Sequence, residues 1–519
     1  MNAQEIAHKY NLREVSEGVH GAVHIRVPRE EFARIATMLV HDEHLPLALL
    51  YATDDRTAGS GFGIHGVFAC DATHEHLMVS TSLPGQDPRY ESLTKTIMAA
   101  HWYERYAMDM FGVIADGHPD PRRLVHHENI PERTWPLRRD FAWNTKLAEA
   151  NVPYPMHHVE GDGVYEIPVG PIHAGIIEPG HFRFNVAGER IMTLEGKLFF
   201  THKGVEKLLE GKTVVDALPF IERLSGDMAA SHALAYCQAA EAIAGTAVPP
   251  RARWLRALVA ELERMTMHVH DLANIAGNGT GYTVMAAHGF RVKEILVRCS
   301  ESLLGNRFWR GFIVPGGVRR DFQPEELRTI GATVHRVHEE IRSLVRMALA
   351  SDGLRERLET TGILSANAAL AYGATGIAAR ASGVDRDARR DFPYAAYDTL
   401  APKVVVETAG DVYARYLVRA RELDVTAGLI ARVVCEVPAG AYVVPCAPMT
   451  GTALGVAESW RGDVYTVLRI VQGKVDRCFP RDPSFCNWAL FGEIGPGNIV
   501  PDFPLCNKSL NLSYSGTDL

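Results

Sequence analysis

No two of the eight cysteines stand in a C-x-x-C pair. Structural zinc and iron–sulfur sites both want clustered thiolates, so neither is expected here. In a chain without an export signal, scattered thiols read as buried and reduced. The N-terminal MNAQEIAHKYNLREVSEGVH has no basic start followed by an apolar stretch, so no secretory signal is read. A run of about 18 uncharged apolar residues is also missing, and no membrane span is expected. A cytoplasmic location follows, peripheral to the inner membrane, with attachment coming through partner subunits. A basic excess is absent too: 62 acidic residues outweigh 54 lysines and arginines, which argues against a nucleic-acid surface. Short-period repeats and low-complexity segments are absent as well.

What is present is an ordinary globular composition, 47% hydrophobic and 22% charged, over 519 residues, enough for two or three domains. Residues 1–145 read as α/β: HGAVHIRVP, ALLYATDD and HEHLMVSTSLP are strand-like, EEFARIATMLVHD is helical, and SLTKTIMAAHWYERYAMDMFG has helical periodicity. Residues 146–169 are rich in proline, glycine and polar side chains and read as a linker. Residues 170–519 are mainly helical, with some β structure near each end. Their long helical periods lie in DMAASHALAYCQAAEAIAG, RARWLRALVAELERMTMHVHDLANIAG, HGFRVKEILVRCSESLLG, PEELRTIGATVHRVHEEIRSLVRMALASDG and TAGDVYARYLVRARELDVTAGLIARVV. The fold class is therefore α+β, a small α/β domain followed by a large helical one. The glycines of VPGGV lack the strand–turn–helix frame of a nucleotide fingerprint, so direct NAD binding is not indicated.

From Glu104 to Phe141 the sequence reads ERYAMDMFGVIADGHPDPRRLVHHENIPERTWPLRRDF. This stretch resembles the signature of the smaller hydrophilic quinone-module subunit of complex I. From residue 170 onward, GPIHAGIIEPGHFRF, THKGVEKLLEGKT, PFIERLSGD, ELERMTMHVHDL, GFIVPGGVRRD, GVAESWRGD and NIVPDFPLCNKSLNLSYSGTDL resemble the larger neighbouring subunit and the large subunit of group 4 nickel–iron hydrogenases. The block order is that of a fused two-subunit polypeptide. The EPGH spelling and the DFPLCNKSL ending lean toward the hydrogenase branch. The resemblance implies an NADH dehydrogenase-like oxidoreductase complex, an iron–sulfur small subunit as neighbour and membrane-embedded, transporter-like subunits as partners. The cluster would sit on the partner, since this chain lacks ligands for one.

In the hydrogenases two C-x-x-C pairs supply the soft thiolates that nickel and iron need. Here Ser225 and Met228 occupy the first pair of positions, and Ser513 and Gly516 the second. Hydroxyls are hard donors, a thioether does not replace a bridging thiolate, and glycine offers nothing, so no metal is expected. The chain stops at Leu519, soon after the second pair, which reads as lacking the extension removed when nickel is inserted. In complex I the vacated space resembles a quinone headgroup pocket with a histidine and a tyrosine. His173 matches that histidine. Arg223 to Asp227 contains no aromatic to match the tyrosine, and Ile176-Ile177-Glu178-Pro179-Gly180-His181 forms a longer loop than the family's.

The candidate site residues are His173, Glu178, His181 and Asp227. His173 reads either as a hydrogen-bond donor to a quinone or as a loop-structuring side chain. Glu178 matches a proton-transfer carboxylate if buried with a raised pKa; the alternative is a salt bridge to Arg183. His181 either extends that relay or is a satisfied, partly buried ring. Asp227 either binds a cation or proton at the vacated centre or complements a helix N-terminus. Glu206 reads as a salt bridge rather than a magnesium ligand. Arg380, Asp385, Arg389, Glu458 and Arg461 read as buried ion pairs tying helices together. Gly117 to Arg123 reads as a docking surface or loop scaffold. Two functions remain open: a quinone-reactive or proton-coupling cavity opening between the His173–His181 loop and Ser225–Met228, or an inactive scaffold between an electron-input module and a membrane arm.

Overall fold

The structure, a computed structural model, describes residues 2–10, 12, 18–173 and 178–519. Its N-terminal part holds β1 (Val19–His20), β2 (Val23–Arg26), α1 (Arg29–His41), β3 (Leu47–Asp54), β4 (Phe62–Cys70), β5 (Glu75–Leu83) and α2 (His101–Phe111). Four of the strands form one sheet in the order β2-β5-β4-β3, parallel between β2 and β5 and antiparallel elsewhere. The helix expected over SLTKTIMAAHWYERYAMDMFG starts only at His101, after a single 3₁₀ turn, and ends where Gly112 takes a left-handed conformation.

The stretch from 146 to 169 is less of a linker than its composition suggests. Strand β6 (Val164–His173) begins inside it and pairs with β7 (Gly180–Ala187), which pairs with β8 (Arg190–Lys197). Ahead of β6 the chain is strapped down: the Val152 N–H donates to the Glu128 carbonyl, and the Arg122 guanidinium reaches the Pro155 carbonyl.

The helical part follows, with α3 (Ala229–Ala244), α4 (Pro250–Thr280), α5 (Thr283–Leu304), α6 (Pro324–Leu349) and α7 (Val412–Glu436). α4 opens on a proline at its first turn, where the lost N–H costs nothing. It is buried along most of its length because α5, α7 and the C-terminal segment surround it. Gly277 and Gly289 let α4 and α5 approach closely: a Cβ on Gly277 would meet the Ala286 Cβ at 2.2 Å, and one on Gly289 the Ala273 Cβ at 2.5 Å.

The final sheet combines β9 (Gly451–Glu458), β10 (Asp463–Val471) and β11 (Lys474–Arg481) with β1, which lies parallel to β9. A strand from the chain's start thus completes a sheet near its end. One hydrophobic core runs from Ala3 to Leu519 without breaking at the boundary near residue 145. Polar links cross the same seam: Arg469 with Asp55 at 2.7 Å, Arg386 with Asp71 at 2.8 Å, and His76 with the Tyr465 hydroxyl at 3.2 Å. No helix among the described residues is long and apolar enough to cross a membrane.

Candidate functional site

The two pairs of positions named from the sequence meet in the fold. Ser225 lies in the turn ahead of α3, and Met228 caps that helix. Ser513 caps the short C-terminal helix Tyr514–Asp518, its hydroxyl accepting from the Gly516 N–H at 2.9 Å. Asn511, in a left-handed conformation, ends the preceding helix and turns the chain inward. The result is a Ser225–Ser513 contact of 3.1 Å between hydroxyls 288 residues apart. All four positions are buried.

An arginine reaches the first pair of positions, Ser225 and Met228. Arg461 bonds both Asp227 oxygens at 2.7 and 2.8 Å, and its Nη1 also reaches the Ser225 hydroxyl at 3.3 Å and the Met228 sulfur at 3.2 Å. Its Nε donates to the Asn511 carbonyl at 2.5 Å, and the guanidinium stacks 4.0 Å from the Trp460 ring centre. Burial alone would raise the Asp227 carboxyl, but the charge and hydrogen bonds of Arg461, helped by Ser225, hold it below the usual carboxylate range. On the Gly516 side stands Asp482, bonded to His232 at 3.0 Å and to the Ser484 N–H at 2.8 Å. A Cβ on Gly516 would lie 2.3 Å from its Oδ2. Two hydroxyls, a thioether and a glycine, with a cation among them, do not fit a nickel–iron group.

Glu263 adds a further ionisable group. It accepts from the Ala230 and Ser231 N–H groups and the Ser231 hydroxyl, satisfying orphan donors in the first turn of α3. Burial pushes its carboxyl up to about 7 against these hydrogen bonds, with the charge of Asp227 adding to the shift.

The His173–His181 loop is placed differently from expectation. Ala174 to Ile177, including Ile176 and Ile177, lies outside the described residues, so the cavity expected there is not testable from them. His173 ends β6 opposite Gly180 and is exposed. Glu178 is exposed rather than buried, because its carboxylate turns to accept from the Ser515 N–H at 2.7 Å on the C-terminal helix. Arg183, its expected partner, pairs with Glu166 instead. His181 is buried on β7, opposite Lys197 of β8. Asp227 and Glu178 therefore both touch the Ser225–Ser515 region, while the histidines sit in the β6–β8 sheet.

The charged residues read as ion pairs sort as follows. Arg380 bonds Glu422 and Glu458, each at 2.8 Å, and Arg389 bonds Asp387 at 2.6 Å and Glu261 at 3.0 Å. Arg419 bonds Asp271, and Asp271 in turn accepts from the Asn511 amide that adjoins Arg461. Glu458 does not pair with Arg461, three residues on; the strand end sends them to Arg380 and Asp227. Asp385 is exposed and pairs with Arg390 on the surface, so it does not belong to the buried set. Glu206 is buried between Arg477 and the Tyr106 hydroxyl. Within Gly117–Arg123, Asp120 and Arg122 join Glu195 of β8 and line a cavity of about 330 Å³ walled by Trp102, Tyr154 and Trp488.

Residues 25–146 match the family model of the 30 Kd subunit of respiratory-chain NADH dehydrogenase, 279–450 that of its 49 Kd subunit, and 203–273 that of nickel-dependent hydrogenase. Over 481 residues the chain is 31% identical to formate hydrogenlyase subunit 5 of Escherichia coli (strain K12), covering 91% of this chain and 84% of that one. It is also 31% identical to hydrogenase-4 component G of the same organism, over 92% of this chain and 84% of that one. Among solved structures it is similar to a chain of the membrane-bound sulfane sulfur reductase, an archaeal respiratory membrane complex, with a TM-score of 0.65 and 26% identity over 70% of this chain and all of that one.

Proposed function

Since the chain belongs to the family of fused complex I-type hydrophilic subunits that includes formate hydrogenlyase subunit 5 and hydrogenase-4 component G, we propose that it is a core subunit of a membrane-bound oxidoreductase complex in which it carries no nickel–iron centre. Its 1–145 part corresponds to the smaller complex I subunit and its 170–519 part to the larger. An iron–sulfur subunit and membrane-embedded subunits are its partners, and it lies at the cytoplasmic face of the membrane through them. The role of the chain is to join electron input to the membrane arm, with the former metal position serving as a charged keystone.

The observation that carries this reading is the Arg461 guanidinium seated among Ser225, Met228 and Asp227. Breaking a buried pair of this kind costs far more than the pair contributes net, so it acts as a geometric lock. The quinone-reactive reading draws less support, because Glu178 is exposed and its partner is a backbone N–H.

The test is turnover of the purified complex with reduced methyl viologen as donor and a quinone analogue, polysulfide or protons as acceptor. With whichever acceptor works, His173→Ala and Glu178→Gln are expected to leave the rate of the assembled complex unchanged. A large rate loss in either variant, in a complex that still assembles, would restore a reactive cavity to these residues.

A further inference from the structure

The mechanism of a scaffold makes no use of Glu458, a carboxylate buried at the end of β9. Its Oε1 accepts from Arg380 at 2.8 Å and its Oε2 from the Ala388 N–H at 3.0 Å. Tyr394 and Arg264 hold its backbone: the Glu458 N–H donates to the Tyr394 hydroxyl, and Arg264 donates to the Glu458 carbonyl. Beside the carboxylate is a void of about 10 Å³, bounded by Ala374, Thr375, Arg386, Asp387, Glu458 and Asp463. That is space for roughly one water, and its polar lining can bind one.

On the far side of this void lies a cleft of about 760 Å³ between the α/β part and the helical part, open to solvent and bounded by Asp71, Lys95, Leu370, Ala374 and Arg386. Ala374 and Arg386 line both spaces, so the two adjoin at these residues. On the protein side Arg380 connects Glu458 to Glu422, which holds His268 at 2.7 Å. Glu422 acts through its charge on Arg419, three residues back on α7, and Arg419 leads by bonds through Asp271, Asn511 and Arg461 to Asp227.

We propose that Glu458 is a proton-loading site, fed with water from the inter-domain cleft past Ala374 and electrostatically joined to Asp227 by the buried arginine–carboxylate array. Loading is a plain proton transfer: a hydronium that reaches the void from the cleft gives its proton to the Glu458 carboxylate and remains as water, and the array gains one positive charge. Burial and the charges of Asp387 and Asp463 outweigh Arg380 and Arg264 and hold the Glu458 carboxyl above the ordinary glutamate range. His268 faces the same array from α4, and burial lowers its ring below the usual imidazole range against the pull of Glu422. The site goes beyond the scaffold reading and stands whether or not the chain holds nickel.

The test is infrared spectroscopy of the purified complex. A protonated-carboxyl band is expected to titrate in the neutral range and to vanish in Glu458→Gln, while Asp385→Asn, at the exposed rim of the cleft, leaves it in place. After transfer to D₂O, Ala374→Leu should slow the band's isotope shift about tenfold or more, since exchange then waits for local opening. If Glu458→Gln does not fold, Glu458→Asp should move the band. A band unaffected by both Glu458 substitutions overturns the loading site. Exchange that is equally fast in Ala374→Leu overturns the route.

Discussion

Gly516 shows how tightly the Ser513 cap packs against its neighbours. Its missing Cβ is the room in which the Asp482 carboxylate sits, 2.3 Å from where the atom would be. Gly516→Ala should therefore destabilise the chain by about 1–3 kcal/mol through overpacking, read from a chemical-denaturation midpoint. Asp227 and Arg461 are expected to behave as a unit. Asp227→Asn alone strands a buried guanidinium and should cost about 3 kcal/mol, whereas Asp227→Asn with Arg461→Met should cost less than the two single changes added together. A double-mutant cycle in denaturant measures the difference. Glu263 gives a pH signature. Its carboxyl is raised to about 7 in the folded chain, so its contribution to stability is complete below the ordinary glutamate range and is lost as pH rises to about 7. Melting curves across that window should fall for the native chain and stay flatter for Glu263→Gln.

Among the elements, the long helices were legible because their apolar residues recur every three to four positions; α3 to α7 fall where that period lies. β4 does not stand out in the sequence because Gly63 and Gly66 interrupt its apolar run, as glycines in a loop would. β6 is hidden by Gly163 just ahead of it and by its own Pro168 and Gly170, which spell a loop while the pairing with β7 makes a strand. The site was half legible. The Glu222–Asp227 and Ser509–Gly516 spellings single out Ser225, Met228, Ser513 and Gly516, and the fold brings the two segments together. The partner of Asp227 was not legible, since Arg461 lies 234 residues away and sequence proximity suggested Glu458 for it. At this scale the α4–α5 contact makes its own prediction. Gly277→Ala places a Cβ 2.2 Å from that of Ala286, and the helices must part; a loss of about 1–3 kcal/mol is expected in thermal or chemical unfolding.

Across the whole molecule, the smaller and larger subunit-like parts are one folded body. β1 completes the sheet of β9 to β11, the core is continuous, and Asp55–Arg469 and Asp71–Arg386 bridge the seam. Buried arginine–carboxylate pairs then extend from Arg380 through the helical part to Arg461 and Asp227, beside Ser225 and Met228. With Arg461 and Asp227 seated beside Ser225 and Met228, the proposed subunit leaves no place for nickel. Elemental analysis of the purified complex, counted per copy of this chain, decides the matter. Nickel is expected at background, with iron present only in proportion to the partner's clusters. One nickel per chain would overturn the proposal.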